Sequence, residues 1–176
     1  MILVTSDTHF GHTNIIRYCS RPFANSTDMD EWLINRWNSR VTTDDVVYHL
    51  GDFVFGKPER ILSRLNGKIY LVPGNHDKQM RRLWNDPFLG PCGFTMLSPI
   101  EEIVVEEQRF VLCHFPLADW EGSKDGTIHL HGHRHTQFAL FKGIEDRSYD
   151  VGVDMYGGPI ELTGDLRHLK NPKGWQ

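Results

Sequence analysis

The feature that most constrains the fold of this chain is a repeated order of strand, polar loop and helix in its first half. Residues 1–6 form an apolar run of strand length without polar alternation, which is typical of a strand buried on both faces. Residues 46–50 and 68–72 are predicted as a second and a third strand, and each runs into a polar loop. Strands that alternate with helices in this way predict βαβ units and an α/β fold.

Helix signals follow each of these strands. We predict helix starts at Thr13 or Asn14, at Asp28 or Asp30, and at Pro58, and a basic fourth helix over residues 78–84. The helix that starts at Pro58 is expected to end at Asn66-Gly67. Trp32, Trp37 and Trp84 are expected to pack in the core rather than to form a stacking surface.

The second half of the chain is richer in strands, with glycine, proline and serine between them. Strands are predicted around residues 94–97, 100–106, 109–114, 127–131 and 149–153. Together the halves predict two β-sheets packed face to face with helices outside, the later strands running as a meander. A length of 176 residues is that of one domain, so we expect a single domain over residues 1–176.

Composition excludes several classes of protein. The formal net charge of −4 rules out a strongly basic protein that coats nucleic acid. The apolar runs are too short for a membrane span or a secretory signal, so neither a membrane partner nor export is expected. The three scattered cysteines Cys19, Cys92 and Cys113 indicate free thiols in a reducing compartment, and hence a cytoplasmic location.

Side chains of metal-ligand type recur directly after the predicted strands, in five separate segments. They are Asp7, His9, Asp52, Asn75, His76, His114, His133 and His135. In an α/β sheet the loops at the carboxyl ends of the strands converge, so we expect these side chains to share one edge. Two of the segments hold ligands spaced i, i+2, which point to one face of extended backbone. Gly51, Gly74 and Gly132 precede ligand candidates, where a tight turn or close backbone approach is needed.

The kinds of donor atom narrow the choice of metal. The set holds two carboxylates, one carboxamide and several imidazoles, and it lacks a thiolate. Mixed oxygen and nitrogen donors suit Mn²⁺, Fe or Zn²⁺ in a catalytic site better than a structural zinc site. The candidates are too many for one ion, whereas two ions about 3.5–4 Å apart, bridged by a carboxylate, would use them all. Such a pair of ions serves in-line attack at phosphorus.

Taken in order, these segments resemble the complete signature of the calcineurin-like metallophosphoesterases. The blocks are Asp7-x-His9, Gly51-Asp52, Gly74-Asn75-His76-Asp77, His114 and Gly132-His133-x-His135. They extend from residue 7 to residue 135, so the resemblance covers most of the chain. It implies the α/β sandwich of that superfamily, with two packed mixed β-sheets flanked by helices.

The resemblance also implies a role for each block. It assigns Asp7, His9 and His135 to a first metal ion and Asn75, His114 and His133 to a second, with Asp52 as the bridge. His76 would face the phosphate and act as the general acid on the leaving oxygen. Asp77 is a candidate to orient His76, and both are therefore predicted as catalytic residues.

The implied activity is hydrolysis of a phosphoester by in-line attack of a hydroxide that bridges two divalent metal ions. Mn or Fe is expected, with Zn or Ni as alternatives. After Asp52 the chain reads Phe53-Val54-Phe55-Gly56, without the Asp-Arg-Gly of the protein Ser/Thr phosphatases, which disfavours a protein substrate. The short chain is similar to small bacterial, archaeal and phage members, several of which act on phosphodiesters. The expected substrate is therefore a small or nucleotide-like phosphoester, more specifically a phosphodiester.

Two other functions stay open: a metal-dependent nuclease and a non-catalytic adaptor on the same fold. The acidic charge argues against an extended nucleic-acid partner, and the basic residues of 78–84 form either a contact for nucleic acid or a solvated helix face. His12 either binds substrate from the first loop or helps to start the helix. His129 and His131 are expected in the strand or around the metal ligands. Asp150, Asp154 and Tyr156 are candidates for the rim of the site. The oligomeric state is left open.

Overall fold

The secondary structure alternates between strands and helices in the first half, as the sequence predicts. A computed structural model describes residues 1–85, 93–135, 147–163, 169 and 174–175. Within these residues the strands are β1 (Ile2–Thr5), β2 (Val46–His49), β3 (Lys68–Leu71), β4 (Phe94–Met96), β5 (Ile100–Val105), β6 (Gln108–Cys113), β7 (Ile128–His131), β8 (Ser148–Asp150) and β9 (Ile160–Glu161). The helices are α1 (Thr13–Tyr18), α2 (Ser26–Asn38), α3 (Pro58–Leu62), α4 (Lys78–Trp84) and α5 (Val153–Tyr156).

The described strands form two mixed sheets. The first sheet has the order β4-β3-β2-β1-β9, in which β1 to β4 are parallel and β9 is antiparallel to β1. The second has the order β5-β6-β7-β8, in which only the β5–β6 pair is antiparallel. The predicted α/β fold of two mixed sheets with flanking helices is confirmed.

Both faces of the first sheet are buried, which explains why β1 is apolar without alternation. Successive side chains of a strand point to opposite faces. Leu3 therefore packs in a cluster with Leu33 and Trp37 of α2, on the helical face. Val4 packs in a second cluster with Leu130 of β7, between the sheets. The apolar core thus has two layers, one beneath the helices and one between the sheets.

The second half of the chain differs from the predicted meander. β4 pairs with β3 in the first sheet, and β6, β7 and β8 are parallel to one another. The hairpin between β5 and β6 turns at Glu106-Glu107, whose φ angles are 49° and 69°. Two successive positive φ angles are those of a type I′ turn, for which Asn-Gly rather than Glu-Glu is the usual sequence.

Several helix boundaries also differ from the prediction. The α2 helix starts before the predicted caps, because the side chain of Asn25 accepts a hydrogen bond from the N–H of Asp28 at 2.9 Å. His12 occupies the cap position of α1, and its side chain makes no capping bond. The α3 helix ends at Leu62 rather than at residues 66–67. Trp84 is 43% exposed, so its expected place in the core was wrong.

The end of the described chain was only partly predicted. The strand expected over residues 149–153 ends at Asp150, and Val153 begins α5. Neither α5 nor β9 was expected. None of the helices in the described part of the chain has the length and hydropathy that crossing a bilayer requires.

Candidate metal centre

The candidate ligands lie where the carboxyl ends of strands from both sheets meet. Because β1 and β2 are parallel, the loops that follow them lie side by side, and the N–H of Asp7 donates to the carbonyl of Gly51 at 3.0 Å. A parallel bridge between Ser6 and Gly152 joins the loop after β1 to the segment after β8. Loops of both sheets therefore contribute to one site.

A first donor group consists of Asp7, His9 and His135, whose ligand atoms lie within 4.8 Å of one another. The buried Asp7 has its Oδ1 atom 3.8 Å from Nε2 of His9 and 3.9 Å from Nε2 of His135. The other oxygen, Oδ2, accepts a hydrogen bond from the N–H of His133 at 2.9 Å. That bond fixes the carboxylate against the loop after β7.

The unsatisfied atoms of the first donor group fit a divalent cation. Oδ1 of Asp7 and Nε2 of His9 are buried without a hydrogen-bond partner among the described residues. Burial raises the pKa of Asp7 and lowers the pKa of His9. Buried polar atoms without partners are destabilising. A cation bound by both atoms would supply the missing interaction, and carboxylate and imidazole are ordinary ligands of such ions.

Asp52 connects the first donor group to a second one. Asp7, Asp52 and His114 form a further group whose ligand atoms lie within 4.8 Å of one another. Oδ2 of Asp52 is 3.6 Å from Nε2 of His9 and also 3.6 Å from Nε2 of His114. One carboxylate oxygen is thus equally distant from a ligand of each predicted ion.

The ring of His114 is oriented toward this second group. Its Nδ1 lies 2.8 Å from the carbonyl of Leu50 and is therefore the protonated nitrogen, so Nε2 carries the lone pair. Nε2 lies 3.0 Å from Oδ1 of Asn75, and the ring centroid of His133 is 5.1 Å from that of His114. Burial lowers the pKa of His114. Two facing acceptor atoms repel each other, and a cation between them would stabilise the arrangement.

His76 lies at the exposed side of the donor groups. Its backbone N–H donates to Oδ1 of Asp52 at 2.9 Å, which fixes the position of the residue while leaving the ring exposed. The ring centroid is 5.2 Å from that of Phe55 and 5.9 Å from that of His9. The side chain is therefore near the donor groups and open to a substrate.

The side chain of His12, which makes no capping bond, lies next to that of His9. The Nδ1 atoms of the two rings are 3.2 Å apart, so one of them donates to the other. His12 also stacks on Phe55, with ring centroids 3.9 Å apart and an interplanar angle of 17°. Burial lowers the pKa of His12, which favours the neutral ring. His12 thus forms one wall of the site together with Phe55.

The described hydrogen bonds of Asp77 go to backbone groups rather than to His76. Its buried carboxylate accepts hydrogen bonds from the backbone N–H groups of Asp52, Phe53 and Gly74, at 2.7 to 2.8 Å. None of these bonds reaches His76. Burial raises the pKa of Asp77, and the three N–H donors oppose that shift. We therefore interpret Asp77 as the residue that joins the loops after β2 and β3.

Several candidate ligands have positive φ angles, a backbone conformation that residues other than glycine rarely adopt. Eight described residues other than glycine have positive φ, and five of them are candidate ligands: Asp7, His9, Asp52, His133 and His135. A residue other than glycine with positive φ costs of the order of 1 kcal/mol or more.

The need for glycine before the candidate ligands is also confirmed. A Cβ atom would lie 2.2 Å from Oδ2 of Asp7 if added to Gly132, and 2.4 Å from Oδ1 of Asp52 if added to Gly74.

Two residues lie behind His135: Arg21, which the sequence did not indicate, and Asp154, which was expected only at the rim of the site. Nδ1 of His135 lies 2.6 Å from Oδ2 of Asp154, and Arg21 binds both oxygens of that carboxylate. Burial alone would lower the pKa of His135, but Asp154 and Asp7 raise it to about 11. Cys19 lies within 4.8 Å of the same atoms. The predicted rim position of Asp154 was wrong, because its side chain is 6% exposed.

The other described histidines support the loops. His49 Nε2 lies 3.0 Å from Oγ1 of Thr8, and burial lowers the pKa of His49 to about 3. His129 accepts a hydrogen bond from the N–H of Leu117, and His131 bonds to the carbonyl of Gly132. None of these three imidazoles belongs to a donor group found among the described residues. Cys92 lies outside those residues.

A cavity of about 510 Å³ lies near the amino end of β1, between Met1, Arg40 and Pro159. No candidate ligand lines this cavity. The chemistry of the donor groups, rather than the size of a cavity, therefore identifies the site.

Comparison with known proteins identifies the family of this chain. The family model of the calcineurin-like phosphoesterases matches residues 1–157, which confirms the resemblance in the sequence. The uncharacterized protein MJ1445 of Methanocaldococcus jannaschii is 37% identical over 98% of this chain and 93% of its own length. The Gene 66 protein of Mycobacterium phage L5 is 27% identical, over 97% of this chain and 96% of its own. The structure of AQ665 from Aquifex aeolicus, a protein of unknown function, has a TM-score of 0.67 at 24% identity, covering 87% of this chain and 90% of that chain.

Proposed function

Because the chain belongs to the calcineurin-like phosphoesterase family, whose members are metal-dependent phosphoesterases, we propose that it hydrolyses a phosphodiester at a centre of two divalent cations. The observation that carries this proposal is the position of Asp52. Its Oδ2 atom lies 3.6 Å from Nε2 of His9 and 3.6 Å from Nε2 of His114, as a carboxylate shared by two ions requires.

The residues divide into two ligand sets that share Asp52. The first set is Asp7, His9 and His135, and the second is Asn75, His114 and His133. Oxygen and nitrogen donors without a thiolate favour Mn or Fe, with Zn or Ni as alternatives. Two such cations would lower the pKa of a bound water and offset the negative charge of the phosphoryl group.

His76 is the general acid of this proposal. Its backbone is fixed by the bond to Asp52, and its exposed ring reaches outward from the donor groups. An imidazolium in that position donates a proton to the leaving oxygen as the bond to phosphorus breaks, and such acid catalysis contributes about 10²–10⁴ in rate. The stacked pair of His12 and Phe55 bounds the same space and would orient the substrate.

A diester suits the charge of the site better than a monoester. A phosphomonoester carries about one more negative charge near neutral pH than a diester does. His12, whose pKa burial lowers, faces this space as a neutral ring. Arg21 does not serve as an additional cationic group, because it binds Asp154. The phosphoester substrate is therefore proposed to be a small or nucleotide-like diester.

Metal removal tests the proposal most directly. Hydrolysis of an aryl phosphodiester and of the matching monoester is measured after chelation and again after reloading with Mn²⁺, Fe²⁺, Ni²⁺ or Zn²⁺. Chelation should abolish turnover and Mn²⁺ should restore it, with the diester as the better substrate. Asp52→Asn should lose metal and activity together. Turnover that survives chelation would contradict the proposal, and a fully loaded protein that hydrolyses no phosphoester would support the adaptor function instead.

Replacement of His76 tests its role separately. His76→Ala should lower kcat by about 10²–10⁴ for a diester with an alkyl leaving group, and by less for one with a nitrophenyl leaving group. The metal content should stay unchanged. Gln79→Ala, on the helix that follows the same loop, is the matched control at an exposed position. Equal losses for both leaving groups would exclude His76 as the acid, and preferential cleavage of labelled DNA or RNA would favour the nuclease.

A further inference from the structure

A buried ion pair lies behind the first donor group, and its two residues, Arg21 and Asp154, are 133 positions apart in the chain. Arg21 donates from Nε to Oδ1 of Asp154 at 2.9 Å and from one terminal nitrogen to Oδ2 at 2.8 Å. The side chains of Arg21 and Asp154 are 0% and 6% exposed. Oδ2 of Asp154 in turn lies 2.6 Å from Nδ1 of His135. A buried ion pair therefore orients this candidate ligand.

The same guanidinium also fixes the loop that carries Asp7. Arg21 donates to the backbone carbonyl of Asp7 at 2.7 Å and to that of Thr8 at 3.0 Å. Two ligands of the first donor group, Asp7 and His135, are thus positioned by one buried side chain. Because bidentate bonds between guanidinium and carboxylate have a fixed geometry, the pair limits movement of both ligands.

The second ligand set, Asn75, His114 and His133, is supported differently. Nδ1 of His114 donates to a neutral acceptor, the carbonyl of Leu50, at 2.8 Å. Among the described residues, no carboxylate hydrogen bonds to Nδ1 of His114. A carboxylate behind a ligating imidazole makes it a stronger ligand than a neutral carbonyl does, and loss of such a partner lowers metal affinity by about 10–100-fold.

We propose that Asp154 and Arg21 are positioning residues that make the first donor group the tighter of the two cation sites, so that the two sites fill in sequence. This inference rests on the two-cation centre of the proposed function. It goes beyond that function by assigning an order of binding and the residues that set it. A general structural role for the ion pair would instead weaken both sites equally.

The experiment measures each site by itself. His133→Ala disables the second site and His9→Ala disables the first, so each background retains one site for Mn²⁺. Asp154→Asn, which keeps the shape of the side chain but removes its charge, is added to both backgrounds. The Mn²⁺ affinity is measured by calorimetry and by electron paramagnetic resonance. Glu31→Gln is the matched control, because it removes a bidentate pair with Arg64 on the exposed face of α2.

Asp154→Asn should weaken Mn²⁺ binding by about 10–100-fold in the His133→Ala background and by less than about threefold in the His9→Ala background. Arg21→Lys should also weaken Mn²⁺ binding in the His133→Ala background, by a smaller factor than Asp154→Asn does. Wild-type protein with one equivalent of Mn²⁺ should show an uncoupled spectrum, and a spin-coupled pair should form only with the second equivalent. Unchanged affinity in the His133→Ala background, or equal loss in both backgrounds, would overturn the inference alone. Wild-type protein that binds no Mn²⁺ would overturn the proposed function as well.

Discussion

Replacing Asp77 by asparagine tests whether this residue supports two loops or orients His76. In the structure both carboxylate oxygens are used: Oδ2 accepts from the N–H groups of Asp52 and Gly74, and Oδ1 accepts from that of Phe53. The substitution keeps the shape of the side chain but replaces one of the two acceptor oxygens by an amide that donates. At least one buried N–H group then loses its partner.

The size of the effect follows from these three bonds. A buried N–H group without a partner costs about 1–3 kcal/mol. The two remaining bonds lose their charge assistance, at about 1 kcal/mol each, because hydrogen bonds to charged groups contribute more than neutral ones. We therefore expect Asp77→Asn to lower the free energy of unfolding by about 4 kcal/mol.

Urea unfolding of the metal-free protein measures this change without interference from bound ions. Asp119→Asn is a suitable control, because the hydrogen bonds of Asp119 to described residues are both accepted by Oδ1, from the N–H of Trp120 and the hydroxyl of Ser123. An asparagine can keep both of those bonds, and because Asp119 is exposed, water offsets the loss of its charge. The control should therefore unfold at nearly the wild-type urea concentration.

If Asp77→Asn lowers the unfolding free energy by less than about 1 kcal/mol, the reasoning is refuted, because the three bonds predict a loss of about 4 kcal/mol. If kcat also fell while the metal content stayed constant, Asp77 would act on His76, as the sequence suggested. Loss of metal together with stability would instead support its role in holding the loop of Asp52.

The remaining predictions concern packing and pH. Gly132→Ala should reduce the metal content measured by mass spectrometry, because the added Cβ would lie 2.2 Å from an oxygen of Asp7. Gly126→Ala, whose Cβ would meet nothing within 4 Å, should leave the metal content unchanged, and equal losses would contradict the steric argument. Burial lowers the pKa of His129 and of His131 from 6.5 to about 4, so the unfolded chain binds more protons between those pH values. The unfolding free energy of the metal-free protein should therefore fall as the pH is lowered from about 6.5 to 4, and a flat urea-unfolding series over that range would contradict this.

The sequence predicted the donor groups because their positions depend on regular features. Asp7 and Asp52 follow parallel strands, and parallel strands bring the loops at their carboxyl ends to the same edge. The apolar run of β1 likewise predicted burial on both faces, which Leu3 and Val4 confirm. These inferences need only the period of a strand and the direction of its neighbours.

The support behind His135 could not be predicted in this way. Arg21 and Asp154 are 133 positions apart, and each lies in a loop or short helix without a motif. Their contact depends on how the segment after α1 and the helix α5 meet at the loop after β1, which is a property of tertiary structure. Likewise, a turn at Glu106-Glu107 with two positive φ angles is imposed by the pairing of β5 with β6 rather than by the preference of glutamate.

The left-handed backbone at the candidate ligands has a consequence for selection. Glycine adopts positive φ without strain, so in each of the five positions a glycine would relieve a local conformational cost of the order of 1 kcal/mol. The side chains nevertheless stabilise the folded loops, because Oδ2 of Asp7 accepts a hydrogen bond from the N–H of His133 and Oδ1 of Asp52 accepts one from the N–H of His76. Loss of such a partner costs about 1–3 kcal/mol, which is more than the strain that glycine would relieve. A library of variants chosen only for heat resistance should therefore not accumulate glycine at Asp7 or Asp52. At these two positions thermal stability and the proposed metal chemistry depend on the same side chain.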